Sequence, residues 1–229
     1  NAYKLAIQKK ENIQHKTLST QLQKYNYTNE NTRAFIQYKN IENLKISFFK
    51  ISQNQVFQLK NLYLKKDSIR DYITQKTQPL YTKSYSLPNK KDFLEYSTEV
   101  LLPQLKTGSY LVYFESESDL KNKKAFAFET ITISNLTILA SQNIESENYQ
   151  VLDRKTGKPL ENITLKTANF TIKTNKNGVA VFNKTKENPN YGVIDLYNLN
   201  DTLSIQKNYL TYNSDYSSDE KDMAEGKLE

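Results

Sequence analysis

Apolar and polar residues alternate in short runs along most of this chain, and turn-forming residues separate the runs. The run at 125–133 (AFAFETITI) alternates most clearly, and we expect it to pair with the run at 109–115. Period-two alternation predicts half-buried β-strands, and strands punctuated by turns about every 8 to 12 residues are typical of antiparallel sandwiches. The pattern therefore predicts an all-β chain.

Further strands are predicted upstream from the same alternation. In one of them, Leu44, Ile46 and Phe48 are expected to face inward and Lys45 and Ser47 outward. The predicted strands span residues 17–25, 33–39, 44–51, 55–60, 80–87 and 92–102, the last with Phe93, Tyr96 and Val100 buried. The apolar residues of 53–71 fit either a strand or a helix, and we place a strand at 55–60 with an irregular or helical piece after it.

The first residues do not alternate. Residues 2–14 (AYKLAIQKKENIQ) bring Leu5, Ala6 and Ile13 near one another at helical spacing. A short N-terminal helix is predicted, ending at His15.

The stretch at 149–182 carries the clearest turn signals. A turn with Gly and Pro occupies 153–159, and Asn177-Gly178 predicts a tight hairpin because both residue types tolerate positive φ. The strands predicted in this half are 135–139, 149–153, 161–167, 169–174, 179–183, 191–197 and 202–207.

The strand signal restarts directly after residue 133, which suggests a domain boundary. We expect a helical segment at 1–15, a first β-sandwich at 16–134 and a second β-sandwich at 135–212. Residues 213–229 are polar and poor in apolar groups, so they predict a disordered tail that ends in a cloning remnant.

A corner is predicted between Pro103 and Gly108, with Gly108 at positive φ. In sandwich folds a tyrosine after such a corner can donate a hydrogen bond back to the backbone, and Tyr110 is the candidate. The alternative for Tyr110 is an ordinary core tyrosine.

Composition excludes several kinds of chemistry. With no cysteine and one histidine, His15, the chain offers neither a thiol nucleophile nor a plausible zinc site. No phosphate-binding glycine loop and no HExxH motif occurs.

The net charge of +7 is unevenly placed. Residues 1–140 hold 21 basic and 12 acidic residues, a balance of +9, and residues 141–229 hold 11 and 13, a balance of −2. The lysines are scattered along strands and loops, so they predict a solvated face and no nucleic-acid partner.

One acidic group has a possible chemistry. Glu115, Glu117 and Asp119 could bind Ca²⁺ through carboxylate oxygens or frame a glycosidase pair. Charges near a hairpin commonly serve solubility, and that reading is preferred. The chain is predicted to be no enzyme, with no catalytic, cofactor-binding or metal-binding residue.

Four runs, taken in order, resemble a known family. They are AFIQYKNIENLKISFFKI (34–51), DFLEYSTEVLLPQLKTGSYLVYF (92–114), ITISNLTILA (131–140) and YQVLDRKTGKPLENITLKT (149–167). Together they resemble the N-terminal part of bacterial alpha-2-macroglobulin family proteins of the type found in Bacteroidetes. The resemblance covers nearly all of residues 2–207.

The resemblance implies two consecutive macroglobulin-like, immunoglobulin-like β-sandwiches from a large, exported cell-envelope protein, in the periplasm or part of an outer-membrane lipoprotein. Members of the family trap proteases after cleavage of a bait segment, often with a Cys–Gln thioester. This chain has no cysteine, so it cannot supply that thioester. No catalytic residue carries over, because the family's sandwich modules have none.

The function expected from the resemblance is a non-catalytic structural and binding fragment of a protease-trapping inhibitor. Its expected partners are neighbouring domains of the parent chain, with target proteases as a second kind, and a membrane only through the parent protein's anchor. One rival is a surface adhesin or carbohydrate- or protein-binding module, which a cluster of exposed tyrosines would support. Another is a hydrolase that uses Glu115 and Glu117, which a pocket with converging carboxylates would support.

Overall fold

The chain divides into two compact units, Asn1–Ile133 (unit 1) and Ser134–Glu229 (unit 2). The computed structural model describes residues 2–52, 55, 56, 59, 78–117, 124–142, 145–183 and 192–206. Within this part, no helix is long and apolar enough to cross a membrane.

The described residues of unit 1 include an N-terminal helix, helical residues near Gln55 and eight strands. The helix α1 spans Ala2–Gln14, as predicted. The strands are β1 (Thr17–Leu22), β2 (Tyr25–Asn26), β3 (Arg33–Lys39), β4 (Asn43–Ile51), β5 (Tyr81–Ser86), β6 (Glu95–Leu101), β7 (Gly108–Ser116) and β8 (Phe126–Ile133).

Two sheets form the first sandwich. One has the order β1-β3-β6 and the other the order β2-β8-β7-β4-β5. The predicted pairing of the two clearest runs is confirmed, because β7 and β8 are antiparallel neighbours with Tyr113 opposite Phe128. Among the described strands of unit 1, the pairs are antiparallel except for the short parallel pair of β2 with β8.

The larger sheet is apolar on both faces. Leu44, Ile46 and Phe48 face the smaller sheet and are fully buried, as predicted. Phe49 and Leu111 are buried on the opposite face, where a second apolar cluster forms.

The outward placement of Ser47 was wrong. It lies on the face that the second cluster occupies, and its side chain is 5% exposed. Its hydroxyl shares a hydrogen bond of 3.2 Å with that of Thr82 on β5.

The strand expected at 55–60 was also wrong, because Gln55, Val56 and Leu59 are helical. The N–H of Gln55 donates to the hydroxyl of Ser52, and the N–H of Ser52 donates to the side-chain oxygen of Gln55. This reciprocal pair is a capping box, which satisfies two backbone donors at a helix start.

Phe93 is not buried, contrary to expectation. The strand β6 begins at Glu95, and Phe93 is 45% exposed in the loop before it. Lys91 and Phe93 have φ of +59° and +62°, which interrupts the extended backbone. Tyr96 and Val100 pack inward as predicted.

Seven strands lie in the part of unit 2 that the structure describes. They are β9 (Leu136–Gln142), β10 (Ser146–Asp153), β11 (Thr164–Lys166), β12 (Thr171–Lys173), β13 (Val179–Asn183), β14 (Val193–Tyr197) and β15 (Thr202–Gln206). They form two antiparallel sheets, with orders β13-β10-β9 and β12-β11-β14-β15.

The predicted hairpin at Asn177-Gly178 is only partly right. The turn itself forms, with the N–H of Gly178 donating to the carbonyl oxygen of Asn175 and the N–H of Asn175 donating to that of Val179. The strands on either side do not pair, however, because β12 and β13 belong to different sheets. The turn therefore carries the chain from one layer of the sandwich to the other.

The fold class is confirmed as all-β, with two antiparallel sandwiches and one short N-terminal helix. The hairpin loop expected at 119–124 lies outside the described residues except for Lys124, and the tail expected at 213–229 lies outside them entirely.

Candidate binding surfaces

Glu115, one of the three candidate acids, forms ion pairs with two lysines. It lies on β7 directly opposite Lys45 on β4. Its two carboxylate oxygens are 3.4 Å from the ammonium nitrogens of Lys45 and Lys124. Its side chain is only 14% exposed, so these ion pairs compensate for its partial burial.

Glu117 is engaged by a different partner. Glu117 accepts a hydrogen bond of 2.8 Å from the hydroxyl of Ser84 on the edge strand β5. Asp119 lies outside the described residues. Among the residues that the structure places, no group of three or more acids or histidines converges as metal ligands would.

The predicted tyrosine corner is confirmed. Gly108 has φ of +133°, and a Cβ at this position would lie 3.3 Å from Cε of Lys50. Two residues later, the hydroxyl of Tyr110 donates to the carbonyl oxygen of Lys106 at 2.8 Å. Tyr110 is 1% exposed, and burial raises its pKa. The hydrogen bond closes the corner.

His15 marks the end of α1, as expected, and its side chain is exposed. The side-chain amide of Asn40, in the turn between β3 and β4, donates to the carbonyl oxygens of Ile13 and His15 at 2.8 and 2.9 Å. Asn40 therefore satisfies carbonyls that a helix end leaves without intrahelical partners. No residue of α1 is buried.

The same end of unit 1 carries the loop with Phe93. Register places Lys39 of β3 opposite Glu95 of β6, so the β3–β4 turn and the start of β6 are neighbours. Lys91 in the loop pairs with Glu42 in the turn at 3.6 Å. We call α1, residues 39–42 and residues 90–95 the α1 end of unit 1.

Unit 2 contains a buried carboxylate that the sequence analysis missed. Glu147 on β10 is 3% exposed and accepts a hydrogen bond of 2.7 Å from the hydroxyl of Tyr149. Burial and this hydrogen bond raise the pKa of Tyr149. The ring of Tyr149 packs edge-on against Phe182, with centroids 5.4 Å apart. The signal was present in the alternation, since residues 147, 149 and 151 share the inward face.

Two charged side chains fix the start of unit 2. Arg154 donates from Nε to the carbonyl oxygen of Ser134 at 3.2 Å and from Nη2 to the carbonyl oxygen of Leu136 at 2.6 Å. Asp201 accepts from the N–H of Asn135 at 2.6 Å. These contacts set the backbone course through residues 134–136.

No family model matches the sequence. No curated protein matches it either. Solved structures of native alpha-2-macroglobulin from Escherichia coli are nevertheless similar in fold.

One of them spans the domains named NIE and MG1. It superposes with a TM-score of 0.52 at 12% identity, covering 82% of this chain and 96% of that one. A longer one spans MG0, NIE and MG1, with a TM-score of 0.51 at 13% identity, and the match covers 82% of this chain and 64% of that one. At such identities the likeness concerns the fold alone, and the fold of this chain is alpha-2-macroglobulin-like.

Proposed function

We propose that this chain is a non-catalytic structural and binding fragment of an alpha-2-macroglobulin-like protein of the bacterial cell envelope, part of a protease-trapping inhibitor. The observation that carries the proposal is the two-unit likeness, since the match covers 96% of a structure described as spanning the domains NIE and MG1. The partners are neighbouring domains of the parent chain and target proteases. The parent is an exported protein of Bacteroidetes type.

The described side chains support a scaffolding role. Glu115 is engaged by two lysines, and Glu117 by Ser84. Tyr110 and Glu147 are buried in hydrogen-bonded positions. Buried groups paired in this way stabilise a specific arrangement and are closed to a substrate.

The trapping role is tested with the full parent protein. After it is mixed with an endopeptidase, cleavage of a large protein substrate should fall while cleavage of a small chromogenic peptide persists. The isolated chain should not change either activity. Undiminished cleavage of the large substrate would remove the inhibitor assignment.

The absence of catalysis is tested on the isolated chain. Peptide and glycoside substrates should not turn over. Turnover that is lost in Glu115→Gln and kept in the surface control Glu99→Gln would establish a hydrolase instead.

The adhesin alternative has less support. The tyrosines with the most exposed rings in the described part of the chain, Tyr3, Tyr81 and Tyr197, lie on three separate elements. Specific glycan binding by the isolated chain would restore that alternative.

A further inference from the structure

Exposed apolar side chains concentrate at the α1 end of unit 1. Thirteen large apolar residues in the described part of the chain are exposed, and six of them belong to this end. They are Tyr3, Leu5, Ile7 and Ile13 on α1, at 78%, 58%, 41% and 48% exposure, and Phe93 and Leu94 in the adjacent loop, at 45% and 62%.

The same end is cationic. It contains seven lysines, counting Lys16 directly after α1, and four acidic residues, a balance of +3. The lysines are Lys4, Lys9, Lys10, Lys16, Lys39, Lys90 and Lys91, and the acids are Glu11, Glu42, Asp92 and Glu95. Lys91 and Glu42 form an ion pair between two exposed side chains, and both of their charges are included in this balance of +3.

The loop presents its two apolar residues in a fixed backbone. Phe93 occupies the left-handed region, which a bulky residue rarely adopts. The N–H of Leu94 donates to the carboxylate of Asp92, and the hydroxyl of Tyr96 donates to its other oxygen. The carbonyl oxygen of Pro88 accepts from the hydroxyl of Tyr38. These hydrogen bonds fix the loop backbone in a conformation that leaves Phe93 and Leu94 exposed.

We propose that the α1 end of unit 1 docks on the anionic surface of a lipid bilayer, with Phe93, Leu94 and the apolar residues of α1 at the headgroup boundary and the lysines on lipid phosphates. This proposal goes beyond the proposed function and does not depend on it. It adds a direct membrane contact to the expected contact through an anchor of the parent.

Shape and charge together favour a bilayer over a protein partner. The apolar groups lie on two protrusions, a helix with no buried residue and a loop tip. A fluid interface can adapt to separate protrusions, and it accepts apolar side chains while anionic headgroups attract neighbouring lysines. A protein partner of the usual kind would need a complementary, continuous surface.

The binding test uses the whole chain and vesicles in a flotation assay. One set of vesicles is phosphatidylcholine alone, and in the other about a quarter of it is replaced by phosphatidylglycerol. We expect binding to the second set that weakens as salt rises and little binding to the first. No binding to the anionic vesicles overturns the proposal, and this end then serves a protein contact.

Matched variants identify the surface. Phe93→Asn with Leu94→Ser removes the loop's apolar pair, and asparagine suits the left-handed backbone at residue 93. Leu80 and Leu101 are similarly exposed, at 63% and 53%, but lie at the opposite ends of β5 and β6. We expect the loop variant to bind at least about ten-fold more weakly, and Leu80→Ser with Leu101→Ser to bind like the parent. Equal binding by both variants, or equal weakening, overturns the proposal.

A fluorescent reporter tests insertion directly, because the chain contains no tryptophan. Phe93→Trp should shift its emission to the blue when anionic vesicles are added, and Leu101→Trp should not. Emission from Phe93→Trp that stays unchanged while the protein is bound overturns insertion of the loop.

Discussion

The hydroxyl of Tyr110 and the carbonyl oxygen of Lys106, four residues earlier, are joined by a hydrogen bond of 2.8 Å. The bond spans the corner at which Gly108 turns the chain into β7, the strand between β8 and β4 at the centre of the larger sheet. A corner closed in this way fixes where β7 begins, and with it the register of both neighbours.

Tyr110→Phe should lower the free energy of unfolding by about 1 kcal/mol, because it removes one part-buried hydrogen bond and leaves the ring in place. Urea denaturation measures the change. Tyr81→Phe, at a tyrosine that is 44% exposed, is the control and should stay near the parent value. Equal stability of Tyr110→Phe and the parent would show that the corner does not depend on this bond.

Gly178→Ala should destabilise the chain more than Gly157→Ala. Both glycines have φ of +70°, so both substitutions carry the left-handed cost, about 1–2 kcal/mol. A Cβ at residue 178 would also lie 2.6 Å from the carbonyl oxygen of Val151, whereas nothing lies within 4 Å at residue 157. Chemical denaturation measures the free energy of unfolding of both variants, and the difference between them gives the steric cost at residue 178. A loss at residue 157 as large as that at 178 would contradict the close approach.

Ser52→Ala should cost about 1 kcal/mol of stability, because it removes the side-chain oxygen that caps the helical turn. Ser52→Asn keeps a capping oxygen and should lie within a few tenths of a kcal/mol of the parent. The readout is the midpoint of urea unfolding. If both variants unfold at the same midpoint, the capping box does not contribute to stability.

Tyr149 should make stability fall at alkaline pH. Burial, and then the hydrogen bond to Glu147, raise its pKa above the usual value near 10. The folded state thus holds the proton more tightly than the unfolded chain does. The contribution is fully present below pH of about 10 and is lost as pH rises through the folded pKa.

Other tyrosines have raised pKa values too, so the test compares slopes. The free energy of unfolding of Tyr149→Phe should fall less steeply above pH of about 10 than that of the parent. Tyr197→Phe, at an exposed position, should keep the parent slope. A slope unchanged in Tyr149→Phe would assign the alkaline loss to other groups.

Alternation predicted the strands well wherever one face is buried and the other is polar. Strand β3, predicted at 33–39, is the clearest case, and the extent of α1 was predicted from helical spacing. The pairing of β7 with β8 was also predicted, although β7 is buried on both faces. The alternation pattern failed at Ser47 because β4 is buried on both faces. Alternation shows which residues share a face, but it does not show whether the second face is also covered by other residues.

Phe93 shows a different limit. An aromatic residue in a run of β-formers looks like core, but Lys91 and Phe93 have positive φ, which propensity does not anticipate. The helical residues after Ser52 were predictable in principle, because Ser-x-x-Gln is a capping-box pattern. For the candidate surfaces, the sequence indicated Tyr110 and Glu115. The buried Glu147 was missed because the strand was predicted to begin at residue 149, although residue 147 is in phase with the buried residues 149 and 151.

The turn at Gly178 also bears on how distant relatives could be recognised. Two of its three nearest neighbours in space, Val151 and Leu160, approach it through backbone atoms, and the third is Cβ of Pro159. The side chains of Val151 and Leu160 can therefore change while the close approach is kept. The glycine itself has no substitute that fits both the torsion and the gap. In chains that have diverged to about the 12% identity seen here, we expect this glycine to be conserved where the residues around it are not. It could then anchor an alignment of their sequences.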